Sequence, residues 1–135
     1  MQTDNYKYKL FGRIKARKKI RLYKDNEIKP FIINKDRNIN NKNNILDIGS
    51  GSGENSFFLS KKYPKSNIIA CEVFEDGNIN LCNQILINKI KNIFLFNGNV
   101  IEFLDNISSK VLFEEIWILF PDPWPKKKHH KRRLI

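Results

Sequence analysis

A chain of 135 residues forms one domain at most, and 41% apolar residues with ten phenylalanines suffice for a packed core, which excludes disorder by composition. No run approaches the roughly 18 apolar residues of a membrane span, and the basic N-terminus lacks the apolar stretch of a signal peptide. The formal charge of +11 is uneven: residues 1–44 hold 13 Lys and Arg against 4 Asp and Glu, residues 45–120 hold 6 against 9, and residues 121–135 hold 6 against 1.

Two basic ends around a mildly acidic centre fit a polyanion gripped from both sides. A general bias toward Lys, Asn and Ile is the competing explanation, but Arg13, Arg17, Arg21, Arg132 and Arg133 concentrate in the same two ends. Residues 1–22 interleave Tyr6, Tyr8, Leu10, Phe11 and Ile14 with Arg13, Lys15, Arg17, Lys18 and Lys19. This is either an arm lying on a nucleic acid, with aromatics stacking and cations on phosphates, or a solvated arm whose apolar residues dock on the core. Residues 34–44, rich in Asn and Lys, read as a linker. The expected organisation is a basic arm and linker over 1–44 and a core over 45–135.

The core opens with a short apolar run that ends on Asp47 and continues into Gly49, Gly51 and Gly53, then a helical pattern. That order predicts a strand over 45–49, a tight turn, and a helix near 53–63 that exits at Pro64. Glycines at a strand-to-helix turn let the backbone bend sharply and let a ligand come close. Asp47 narrows the ligand class: a carboxylate just before the glycines repels a pyrophosphate, whereas it suits the ammonium of S-adenosylmethionine, met directly or through water. The third glycine also falls one residue too early for the dinucleotide spacing G-x-G-x-x-G.

A nearly continuous apolar run over 67–72 predicts a parallel strand covered on both faces, ending on Glu72. Glu72 lies about twenty residues past the glycines, the spacing at which a carboxylate takes ribose hydroxyls. Cys71 within that run reads as a small buried thiol; with Cys82 the only other cysteine, and no metal-ligand spacing, a reducing cytoplasm fits. A helix near 76–90 follows, carrying Ile79, Cys82, Leu86 and Ile90, then a strand over 92–97 and a short helix over 100–104. Asn99 either accepts from the adenine amino group or caps the helix beside it. A fourth strand over 115–120 completes the expected fold, an α/β doubly wound parallel sheet with right-handed crossovers and ligands beyond the carboxyl ends of the strands.

The most specific stretch is Pro121-Asp122-Pro123-Trp124, followed at once by Lys126, Lys127, Lys128, His129, His130, Lys131, Arg132 and Arg133. Two prolines around an acid hold a rigid extended loop that carries a carboxylate and a large aromatic to the ligand face. This stretch resembles the signature of bacterial tRNA (guanine-N(7))-methyltransferases. Pro121, Asp122, Pro123, Trp124, Lys126, His129, Lys131, Arg132 and Arg133 match it, and Lys128 stands where Arg is usual. The resemblance reaches back to Asp47, Gly49 and Gly51, to Glu72-Val73 with Gly77 in the next helix, and to the basic segment around Gly12-Arg13. It departs at Asn99, where the family usually has an acid.

The resemblance implies a Rossmann-like S-adenosylmethionine-dependent methyltransferase core, incomplete on its C-terminal side, because family members continue through further strands and helices. It also implies transfer of a methyl group to guanine N7 in tRNA in the cytoplasm. Asp47, Gly49, Gly51, Glu72 and Asn99 are the expected cofactor residues. Asp122 is expected to orient the guanine and favour its cationic product, and Trp124 either stacks on the base or buttresses the loop. Lys126, His129, Arg132 and Arg133 are expected to meet tRNA phosphates and shape. No metal is expected, since His129 and His130 have no third ligand at suitable spacing. The competing expectations are an inactive remnant that binds RNA or nothing, and a methyltransferase acting on a non-RNA substrate.

Overall fold

The computed structural model describes residues 25–34, 39–119 and 125–132. Four strands form one all-parallel sheet: β1 (Asn44–Ile48), β2 (Asn67–Glu72), β3 (Ile93–Asn97) and β4 (Phe113–Ile118), in the order β3-β2-β1-β4. Between them run α2 (Glu54–Lys62), α3 (Glu75–Ile87) and α4 (Val100–Asn106); a single turn, α1 (Asp25–Ile28), precedes the sheet. The order reverses beside β1, which is where a doubly wound sheet opens a crevice at its carboxyl end.

Alternation along the strands assigns each side chain to one of two cores. Ile45, Ile68, Ala70, Ile93 and Leu95 pack with Leu59 of α2 and Leu81 and Ile85 of α3. On the opposite face Leu46, Ile69 and Cys71 pack with Val100 and Phe103 of α4. Leu46, Ile68, Ile93 and Leu81 are fully buried, and each such side chain contributes about 1.5–3 kcal/mol of transfer free energy. Continuous apolar strands are therefore explained by burial on both faces.

β4 is the exception: its outer flank has no neighbour among the described residues, and Ile116 stays 58% exposed. It begins at Phe113, two residues before the expected start. Glu114 and Glu115 interrupt the apolar pattern, but Phe113 pairs with Asn44 and a bulge then brings Glu115 opposite Ile45.

The stretch ahead of the sheet is not all solvated. Residues 29–31 form a 3-10 turn, Ile32 bridges Leu95, and the Ile33 amide donates to the Leu95 carbonyl at 2.8 Å. Ile28, Phe31 and Ile32 pack on one core and Ile33 is buried in the other, so part of the segment read as arm and linker extends the apolar surface of β3. Residues 1–22, with their aromatic and basic side chains, lie outside the described residues.

Candidate functional site

The glycine loop links β1 to α2. Gly49, Gly51 and Gly53 have φ of +69°, +56° and +89°, a region that costs other residues about 1–2 kcal/mol each. A Cβ at Gly49 or Gly51 would meet no atom within 4 Å, so the glycines open the space above the loop. Gly53, at the N-cap of α2, differs: a Cβ there would stand 2.5 Å from Leu81 Cδ1. Gly77 is tighter still, since a Cβ there would lie against the Gly51 carbonyl oxygen. The loop is thus set from below by α3, and the missing side chains of Gly53 and Gly77 permit that approach.

Glu72, at the end of β2, pins the loop. Its Oε2 accepts from the Gly51 amide at 2.7 Å, and its Oε1 accepts from the amides of Val73 and Phe74 at 2.8 and 2.9 Å. A carboxylate has about four acceptor positions, so Oε2 keeps one for a hydroxyl arriving from outside. Glu72 is half-buried, which leaves that approach open.

Asp47, expected to meet the ammonium directly or through water, is held by the first turn of α2. It is 1% exposed, its Oδ1 accepting from Asn55 Nδ2 at 3.1 Å and its Oδ2 from the Ser56 hydroxyl at 2.6 Å. Asp47 shares the sheet face of Ile45, and the turn at Gly53 folds the first turn of α2 over that face. Burial pushes its carboxyl above the ordinary 3.8, the bonds from Ser56 and Asn55 oppose this, and the charge of Glu72 adds to the rise. Asn55 and Ser56 were not singled out from the sequence, although two polar residues in the first turn after an acid-glycine loop were a usable signal.

Asn99 caps α4: its Oδ1 accepts from the Ile101 amide at 2.7 Å. Beside it, the Gly98 amide donates to the Glu72 carbonyl at 3.0 Å, holding the ends of β2 and β3 together. In the basic run, residues 127–132 form a 3-10 helix in which Lys127, Lys128 and Lys131 are exposed and His129 is half-buried, and Lys126, just ahead of it, is exposed too. Arg132 lies in this helix; Asp122, Trp124 and Arg133 lie outside the described residues.

The residues fit a ligand of mixed character. The Ser50 hydroxyl, inside the loop, is buried and lacks a hydrogen-bond partner. Together with the open space over Gly49 and Gly51, it suits the carboxylate of an amino acid, while Glu72 suits a diol. No helix among the described residues is long and apolar enough to cross a membrane.

A family model described as "Putative methyltransferase" matches residues 41–135. A tRNA (guanine-N(7)-)-methyltransferase of Neorickettsia sennetsu is 33% identical over 131 residues, which is 94% of this chain and 60% of that protein. Proteins of the same name from Rhodococcus jostii and Neisseria meningitidis are 40% and 37% identical over 91 and 95 residues, covering 67% and 70% of this chain and 35% and 40% of their own lengths. The chain thus spans about a third to three-fifths of these curated relatives.

Proposed function

The chain belongs to this methyltransferase family, and from that premise we propose that it binds S-adenosylmethionine at the carboxyl ends of β1, β2 and β3 and methylates N7 of a guanine in tRNA. The observation that carries the reading is the bond from the Gly51 amide to Glu72, which joins an open glycine loop to a carboxylate with an acceptor position to spare. Glu72 takes a ribose hydroxyl, and Gly49 and Gly51 let the amino-acid end lie against the backbone. Asp47 acts from beneath: it fixes the first turn of α2 and supplies negative charge near the ammonium. Asn99 presents the start of α4 to the adenine.

The cofactor supplies an electrophilic methyl group on a sulfonium. Guanine N7 carries a free lone pair, so no residue need remove a proton; positioning and electrostatics suffice. Asp122 would orient the base and stabilise the cationic purine, while Lys126, His129, Arg132 and Arg133 would hold tRNA phosphates. The basic side chains ahead of β1 would meet the same polyanion, in a cytoplasm where Cys71 and Cys82 stay reduced.

The test is incubation of the chain with unmodified tRNA and methyl-labelled S-adenosylmethionine, followed by nucleoside analysis. Labelled 7-methylguanosine, absent with Asp122→Ala, is the expected product. Cofactor binding without transfer would favour a cofactor-loaded RNA-binding chain, and label on protein or small molecules would favour the non-RNA substrate.

A further inference from the structure

α3 lays a stripe on the sheet at positions 78, 81 and 85, and two of the three are the fully buried Leu81 and Ile85. The third, Asn78, is only 4% exposed. A buried amide in an apolar stripe is unfavourable unless its groups are paired, and here the Asn78 Oδ1 has no partner. Its Nδ2, however, bridges two strand ends: it donates to the Glu72 carbonyl and to Asn97 Oδ1, both at 2.9 Å.

Asn97 and Glu72 are register partners on β3 and β2, so their side chains leave the sheet on the same face, at the end where the cofactor is proposed to lie. Asn97 is exposed, and the bond from Asn78 fixes which half of its amide turns inward. The oxygen is held, so the Nδ2 donor is the group offered outward. Adjacent strand ends therefore present an acceptor, Glu72, beside a donor, Asn97.

We propose that Asn97 binds the nucleoside half of the cofactor through its Nδ2, donating to a ribose oxygen or a ring nitrogen, and that Asn78 is the positioning residue that sets this polarity. The proposal rests on the cofactor reading above. A vicinal diol or an adenine edge offers donors and acceptors side by side, so a matched acceptor and donor recognises it better than two carboxylates would. The pair explains why α3 keeps a polar residue where Leu81 and Ile85 lead one to expect a third apolar side chain.

Calorimetric titration of the full chain with S-adenosylhomocysteine and with 5′-methylthioadenosine, which lacks the amino-acid tail, tests it. Asn97→Ala should weaken both ligands by a similar factor of about five, the weight of one neutral hydrogen bond. Asn78→Leu keeps the shape and leaves the Glu72 carbonyl its bond from Gly98. It should fold with an unchanged or higher melting temperature yet bind both ligands about as weakly as Asn97→Ala. The double variant should be no weaker than Asn97→Ala alone. Unchanged affinity in Asn97→Ala, a loss confined to S-adenosylhomocysteine, or fully additive losses would overturn the assignment. If Asn78→Leu fails to fold, Asn97→Ala with the two ligands still decides. Absence of binding by the unaltered chain would overturn the cofactor reading and this inference with it, whereas binding indifferent to both variants overturns only the inference.

Discussion

Glu72 Oε2 accepts the Gly51 amide hydrogen at 2.7 Å across 21 positions of sequence, so the end of β2 holds the glycine loop of β1. Replacing the carboxylate by an amide sets a donor against one of three N–H groups. Glu72→Gln should lower stability by about 1.5–3 kcal/mol, the range for a hydrogen bond to a charged group. It should also weaken S-adenosylmethionine at least tenfold. Urea denaturation and calorimetry read the two effects separately.

Gly77 and Gly51 should respond differently to the same change. Gly77→Ala drives a methyl into the Gly51 carbonyl, so α3 must shift. The cost is expected at about 1–3 kcal/mol, with ligand binding lost as the loop moves. Gly51→Ala meets no atom but strains a φ of +56°, which costs about 1–2 kcal/mol. Its methyl occupies the space proposed for the ligand, so affinity should fall further than stability. Melting temperatures and titrations of the two variants check the contrast.

Asp47 makes stability depend on pH. Its folded carboxyl sits above the unfolded 3.8 because of burial, so the folded chain holds the proton more tightly. Stability from this group is complete below the unfolded value and is lost as pH rises through the folded one. Asp47→Asn removes that loss while keeping an acceptor for Asn55. Relative to the unaltered chain it should gain stability as pH rises from 4 toward 7, yet bind S-adenosylmethionine more weakly. Denaturant melts across that range test the sign.

The sheet was legible because parallel strands buried on both faces write themselves as apolar runs; 67–72 was read to the residue. The glycine loop and Glu72 were legible from spacing. What sequence did not show was where the polar groups point. Asp47 and Glu72 read as ligand residues, but Asp47 turns under α2 and Glu72 spends most of its acceptor capacity on the backbone. Nor does composition separate asparagines that fill a bias from those that hold structure. Asn92 Nδ2 lies within hydrogen-bond distance of the carbonyls of Ser60, Tyr63 and Ser66, and Asn44 ties β1 to Leu112. Residues 28–33 were missed as core because their short apolar run follows a charged turn and has no strand-length period.

The basic run predicts a salt slope. If Lys126, Lys127 and Lys128, all exposed, each meet a phosphate, the triple Ala variant should bind tRNA more weakly at low salt. The slope of log affinity against log salt should fall by about 2 to 3. Filter binding across a salt series reads the slope; an unchanged slope would remove these lysines from the interface.

The central claim, that the strand ends form an S-adenosylmethionine site, is tested most directly by titrating the purified folded chain with the cofactor, with Asp47→Ala as control. Saturable binding near one molecule per chain, lost in the control, is the predicted result. No binding by a sample whose circular dichroism and cooperative melt show it folded would contradict the claim, leaving family membership as a statement about ancestry alone.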